Sequence, residues 1–465
     1  MITRIEIDGF KTFNNFKMEF TPFTVVAGTN ASGKSNLFDA LKLLSNLAET
    51  DLKTAFNNPN LRGEAQEQFS QYSDGEFANE MKFSVEILLD ISVTDNWGET
   101  YKLKYTRVRY EIEIKRKRNT KGFDDLFITR EVLKPIKHQE DKWLKNHISN
   151  KLIEKWRPKV YGRRGTPYIT TEEKDGKTII RIPADGKPGR GRLSIANNIS
   201  QTLLSSINSV DFPHVFATKQ EMINWHFLQL NPEELSKPSP RIASDIITPS
   251  GGNLAASLYR LKIDDDRYLN DISRELNNLL PNFVKVDVTE DVAENRFIIK
   301  LISEDDREFS SRVLSEGTLR LLILCILKYD PKYNGTLCFE EPENGIHPYR
   351  INMMIELLKG LSTDLLDKGN VGFPLRQMIV NTHSSLFIRK LLNPDKLTSN
   401  ISIWFSKLIT NISTKSGIKI KYKSTKILPV RKNNIQLQFD FVTSSELEMT
   451  ELEVKKYLET KDFEN

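Results

Sequence analysis

Gly28-Thr29-Asn30-Ala31-Ser32-Gly33-Lys34-Ser35 is the stretch whose reading decides the fold. Two glycines closed by a Lys-Ser pair make a phosphate-loop pattern, and each element has a physical reason. The glycines let backbone N–H groups curl round phosphate oxygens, and the helix that follows adds a favourable dipole. In such loops the lysine meets the outer phosphates and the hydroxyl ligates Mg²⁺, which assigns those parts to Lys34 and Ser35. The flanks agree with the pattern. Phe23, Val25 and Val26 form a buried strand before the loop, and Leu37, Ala40, Leu41, Leu44 and Leu47 form one apolar helix stripe after Asn36.

Working outward, Ile5 and Ile7 mark a first strand, so the opening 50 residues read as two short strands and a helix. Residues 81–115 alternate (Phe83, Val85, Ile87, Leu89), which predicts antiparallel strands. From about 120 to 200 the pattern weakens and Gly, Pro and basic residues rise, with DGKPGRGR read as a loop. Helical spacing returns over 252–280 and strand spacing over 283–302. A nearly all-apolar helix (Leu319 to Leu327) then leads to a strand at Leu337, Cys338 and Phe339. A helix over 348–360 and a strand at Met378, Ile379 and Val380 follow. Alternation of this kind implies a mainly parallel sheet covered by helices.

The chain has 465 residues, 67 Lys+Arg, 62 Asp+Glu and a formal charge of +5. At about 100–200 residues per domain, that length predicts two or three domains. With 38% apolar and 28% charged residues, a wholly disordered or collagen-like chain is excluded. No apolar run approaches the ~20 residues of a membrane-spanning helix, and MITRIEIDGF lacks a signal-peptide core. Cys325 and Cys338 both sit in apolar runs and read as buried thiols of a reducing compartment. The expectation is a cytoplasmic protein with no membrane partner. Basic residues cluster at Lys115–Arg118 with Lys121, at Arg157, Lys159, Arg163 and Arg164, and at Lys187, Arg190 and Arg192. Such a middle region offers DNA as an alternative partner, although solvated charged faces are commoner.

Three further segments carry chemistry. Thr336-Leu337-Cys338-Phe339-Glu340-Glu341-Pro342 is an apolar strand ending in two carboxylates, at the kind of strand end where ligands collect. One acid can hold a Mg²⁺ shell and the next can polarise a water. Leu314-Ser315-Glu316-Gly317-Thr318 opens the apolar helix, with Ser315 suited to an N-cap. Asn381-Thr382-His383-Ser384 follows another apolar strand.

In this order, the four segments resemble the heads of ABC-type ATPases of the RecF, Rad50 and SMC group. GTNASGKSN, LSEGTLR, FEEPENGIHP and NTHSS are similar to the OLD-type predicted ATPases of bacterial antiphage systems. The resemblance covers about residues 1–90 and 305–400. It implies an α/β fold: a head with a mainly parallel sheet flanked by helices, an antiparallel β subdomain, and an inserted α/β middle region. The expected division is 1–118 and 251–400 for the two head halves, 119–250 for the insertion, and 401–465 for a strand and helix extension.

The resemblance also implies roles. Gly28 through Asn36 contact ATP, Lys34 assists catalysis, and Glu340 stands at the metal-binding position. Glu341 is the catalytic base and His383 the switch histidine. Ser315 and Gly317 complete the ATP site of a second subunit, while Asn344, Gly345 and His347 face that interface. Gln71 is taken as the metal-contacting glutamine from the choice between 66 and 71. The implied cofactors are ATP and Mg²⁺. The implied partners are a second copy of the chain, as a homodimer or higher homo-oligomer through ATP-bound heads, and an effector such as a nuclease or toxin. Repair in the manner of RecF, and a regulatory scaffold that binds ATP with little turnover, are the alternatives. Glu316 and Thr318 depart from the commoner signature, Glu340 replaces an aspartate, and neither a long coiled coil nor a Toprim-like acidic cluster is present.

Overall fold

A computed structural model describes residues 1–122, 124–158, 166–174, 177–183, 192–195, 200–392, 400–415, 418–430 and 441–460. The chain divides into two units, one built from Met1–Trp225, Asp364–Leu375 and Ser399–Lys455, the other from His226–Thr363, Arg376–Thr398 and Lys456–Asn465. The architecture is mixed α/β, with parallel strands covered by helices and separate antiparallel sheets.

In the first unit the loop strand Phe23–Ala27 is buried at every residue, as expected of a strand covered on both faces. It pairs in parallel with Ile401–Lys415, which pairs antiparallel with Ile418–Pro429. The helix Lys34–Glu49 follows the loop and buries Leu37, Ala40, Leu41, Leu44 and Leu47, the stripe read from the sequence. A second sheet is wholly antiparallel, in the order Phe16–Glu19, Ile2–Asp8, Glu80–Leu88, Arg107–Arg118, Asp124–Pro135. A small antiparallel meander joins Thr170–Lys174, Lys177–Ile182 and Arg192–Ile195.

Two expectations need correction. The opening 50 residues contain three strands, because Phe16–Glu19 pairs with Ile2–Asp8. Its alternation spans only four residues, too few to stand out as a period. The strand Asp124–Pro135 was hidden by two local events. A register shift at Glu113/Ile114 interrupts the pairing, and the inward Glu131 breaks the apolar alternation while accepting bonds from Leu203 N, Leu204 N and Tyr110 Oη. The basic cluster lies partly on this hairpin, where Arg116 pairs with Asp124 at 3.2 Å and stacks over Phe69 and Phe77. Lys159, Arg163, Arg164, Lys187 and Arg190, most of the DGKPGRGR segment, and the Arg192 side chain lie outside the described residues.

The second unit centres on three parallel strands, His226–Leu228, Gly335–Glu340 and Arg376–Thr382, with the middle one between the other two. Four helices match the sequence periodicity: Leu254–Asp264, Arg267–Leu279, Glu316–Tyr329 and Ile351–Gly360. The hairpin Phe283–Asp291 and Arg296–Ser303 carries the alternation read over 283–302. Cys325 and Cys338 are buried free thiols. No helix of the described residues is long and apolar enough to cross a membrane.

The helix Ser444–Thr460 begins with a reciprocal cap. Thr443 N donates to Glu446 Oε2 at 3.0 Å, and Glu446 N donates to Thr443 Oγ1 at 3.3 Å. Partial burial pushes the Glu446 carboxyl up, but the Lys426 ammonium and the Thr443 donors outweigh it and hold it down at about 2. A carboxylate depressed in the fold stabilises above its ordinary value and stops doing so as pH falls through the depressed one. Glu446→Gln is therefore expected to cost about 1 kcal/mol in urea unfolding at pH 7. The gap from the parent protein should close as pH falls from 4.5 to about 2.

Candidate active site

The loop at 28–36 is fixed by the neighbouring strand Ile401–Lys415 and the next one out, Ile418–Pro429. Ser406 Oγ and Thr425 Oγ1 both donate to the Ser32 carbonyl, at 2.9 and 3.3 Å. Thr425 Oγ1 also meets Thr12 Oγ1 at 2.7 Å, and Thr12 Oγ1 accepts Asn36 Nδ2 at 2.8 Å. Gly33 turns the chain into the helix with φ 95°, and a Cβ there would lie 2.0 Å from Thr425 Oγ1. Only glycine meets both demands. The first helical turn carries no acid to cancel its dipole. Lys34 is buried and donates to the carbonyls of Gly28 and Thr29, each at 2.8 Å. Thr29, Asn30 and Ala31 are exposed at the loop crest, with Ala31 at φ 60°.

Whether this cradle suits a phosphate chain is tested by Ser32. Its Oγ is buried beside Gly28 and has no hydrogen-bond partner among the described residues. A buried hydroxyl left unpaired costs about 1–3 kcal/mol, and an anion in the loop would relieve it. The residues fit.

In the second unit, the parallel register sets Glu340 opposite Asn381. Glu341 N still donates to the Asn381 carbonyl at 3.0 Å, and the chain then leaves the sheet with Glu341 at φ 48°, directly before Pro342. His383 leaves the neighbouring strand beside it. Its Nδ1 lies 2.8 Å from Glu341 Oε1, and Asn344 Nδ2 donates to Oε2 at 2.8 Å. Both side chains remain about one-third exposed. An ionised carboxylate only accepts, so the imidazole carries a proton on Nδ1 and turns Nε2 outward from the pair.

The serine-led segment behaves as its spacing predicts. Ser315 caps the helix Glu316–Tyr329, accepting Thr318 N at 3.3 Å, and is itself exposed. Glu316 pairs with Arg320 at 2.8 Å and packs against Gly345. A Cβ on Gly345 would fall 2.5 Å from the Glu316 carboxyl carbon, and one on Gly317 would fall 2.7 Å from the Gly345 carbonyl oxygen. The unusual Glu316 thus interlocks its own helix start with the turn after the twin acids. Asn344 and His347 are exposed on that turn.

Gln71 is exposed and bridges to Phe77 on a cleft of about 650 Å³ that Lys11, Thr12, Tyr72 and Tyr422 also line. Gln68 is fully buried instead, its Nε2 spent on the carbonyls of Arg62, Gly63 and Glu64. Among the described residues no group of three or more His, Cys, Asp or Glu side chains is arranged to hold a metal ion.

Sequence reading missed Glu343, Thr382 and Tyr457. Glu343 is buried, accepts the Thr382 hydroxyl on Oε1, and has no partner for Oε2 among the described residues. Burial pushes its carboxyl above the usual range, against the pull of the Thr382 hydroxyl. An acid two residues beyond the twin pair was the available signal. Tyr457 Oη donates to the His383 carbonyl, a contact across 74 residues that no local pattern announces.

Comparison with known proteins adds a family. The protein-family model described as "AAA domain, putative AbiEii toxin, Type IV TA system" matches residues 23–389. No curated protein matches the chain. Among solved structures it is similar to an Smc head bound to the C-winged helix domain of ScpA, at 14% identity and TM-score 0.48, covering 92% of this chain and 98% of that one. It is also similar to the Pyrococcus furiosus Smc head bound to the C-terminal domain of ScpA, at 13% identity and TM-score 0.44, covering 98% and 99%. The Thermotoga maritima SMC head domain gives 13% identity and TM-score 0.36, covering 92% and 99%.

Gly317→Ala should press its methyl against backbone, which cannot rotate away. The expected loss is about 1–3 kcal/mol, read as a lowered thermal midpoint. An unchanged midpoint would mean that the Gly317–Gly345 contact is loose.

Proposed function

We propose, since the chain belongs to the AAA_21 family, that it is an Mg²⁺-ATP-hydrolysing switch working as a pair of ABC-type heads. The observation that carries this reading is the Glu341–His383 bond, a carboxylate held ready by a histidine and an asparagine. When bound, Mg²⁺-ATP supplies the anhydride to be cleaved and the charge that the loop donors meet. Lys34 exchanges its two loop carbonyls for phosphate oxygens, a stronger charge-assisted set of bonds. Ser35 and Glu340 would hold the metal, with Gln71 assigned to its shell, and the loop N–H groups from Gly28 to Asn36 would hold phosphate. Glu341 takes the proton of the attacking water on a carboxylate oxygen, and His383 keeps that carboxylate aimed.

Ser315 and Gly317 serve the site of a second copy, so closure depends on two chains. The exposure of Ser315 supports this role. The toxin and TA system in the family description support an effector as the element that is switched, in antiphage defence.

Glu341→Gln should keep ATP binding while hydrolysis falls by about 10²–10⁴, and light scattering should find an ATP-trapped species of twice the mass. Hydrolysis at the parent rate would remove Glu341 from the role of base. Lys34→Ala should lose ATP affinity in calorimetry. Stimulation by DNA ends or gaps would favour RecF-like repair. ATP-driven dimerisation with partner function intact in Glu341→Gln would favour a scaffold.

A further inference from the structure

We infer that Tyr457 is a positioning residue for His383, and that the last turn of the helix Ser444–Thr460 thereby sets the geometry of the Glu341–His383 pair. The inference rests on the hydrolytic reading of that pair.

The turn that carries His383 is held by local bonds around it, including Phe387 N to Ser384 Oγ at 3.2 Å, and by a tie from far along the chain. It leaves a strand at Thr382 and enters the short helix Ser385–Leu391. On one side it is tied through Thr382, whose Oγ1 accepts Ser384 N at 2.9 Å and donates to the buried Glu343. On the other side the tie comes from far along the chain. Tyr457 Oη donates to the His383 carbonyl, and its side chain is only 6% exposed. Next to it, the Leu458 carbonyl accepts Arg389 Nη2 at 2.9 Å. The helix end therefore grips the segment at residue 383 and again at 389.

The hydroxyl is suited to this task. Burial, with the nearby Glu343 carboxyl, pushes the Tyr457 phenol well above its ordinary range, so it remains a donor. Fixing the carbonyl of His383 fixes the peptide plane after it, and together with the strand before it this sets the direction of the Cα–Cβ bond. The imidazole has only two further torsions with which to recover its 2.8 Å bond to Glu341. A misplacement of about 1 Å at a reacting group can cost 10²-fold in rate. Tyr457 touches neither nucleotide nor water in this scheme, and it acts through the histidine alone.

The test is Tyr457→Phe, which keeps the ring and removes one oxygen. The expected result is a kcat about tenfold lower, with ATP affinity by calorimetry unchanged within about twofold. In side-chain ¹H–¹⁵N spectra, the His383 Nδ1–H signal, assigned by its loss in His383→Gln, should broaden or move. Arg389→Met should weaken the same signal through the second grip. A Tyr457→Phe protein with parent kcat and an unmoved His383 signal overturns the inference, even if its thermal midpoint falls. Should the parent protein fail to hydrolyse ATP while its His383 signal still depends on Tyr457, the hydrolytic reading fails and the positioning role stands.

Discussion

The parallel pairing of Gly335–Glu340 with Arg376–Thr382 is the constraint on which the cluster of Glu341, Asn344 and His383 depends. Parallel strands deliver both carboxyl ends to the same edge of a sheet. With Glu340 opposite Asn381, the next residues off each strand include Glu341 and His383, and their side chains meet without any long-range adjustment. A slip of one residue would send both to the wrong faces. The runs 336–339 and 377–380 hold that register because every residue in them is buried, with Thr336 Oγ1 donating to Gln377 Oε1 at 3.0 Å at their start.

The phosphate loop obeys the same logic through different contacts. Its strand is the partner of Ile401–Lys415, and the two hydroxyls that pin the Ser32 carbonyl come from that strand and the next. The loop's shape is thus imposed by residues nearly 400 positions away. Lys34 already lies folded on its own loop, so an anion entering there would exchange partners with it and not fill a void.

Much of this was legible in the order of residues, for definable reasons. The loop, the twin acids and the histidine are each local: a strand, then a sharp turn, then side chains of the right type. Helices such as Glu316–Tyr329 carried their period in full view. What escaped notice depends on pairings that leave no local trace. Phe16–Glu19 was too short, and Asp124–Pro135 was disguised by a bulge and an inward acid. Tyr457 reaches His383 only because distant segments fold together. The glutamine of the 66–71 segment shows the limit in another way, since composition separated neither the buried Gln68 from the exposed Gln71 nor their partners.

Glu341 deserves a last consideration because its backbone lies in the left-handed region immediately before a proline. That conformation costs a branched-at-Cβ or long side chain about 1–3 kcal/mol, and glycine or asparagine would adopt it more readily. Selection for thermal robustness alone would erode the glutamate here, whereas under its proposed role as base, selection for turnover would retain it. The residue found at this position in any lineage of such chains therefore records which of the two pressures prevailed, and a copy freed from chemistry would drift toward glycine and grow sturdier as it fell silent.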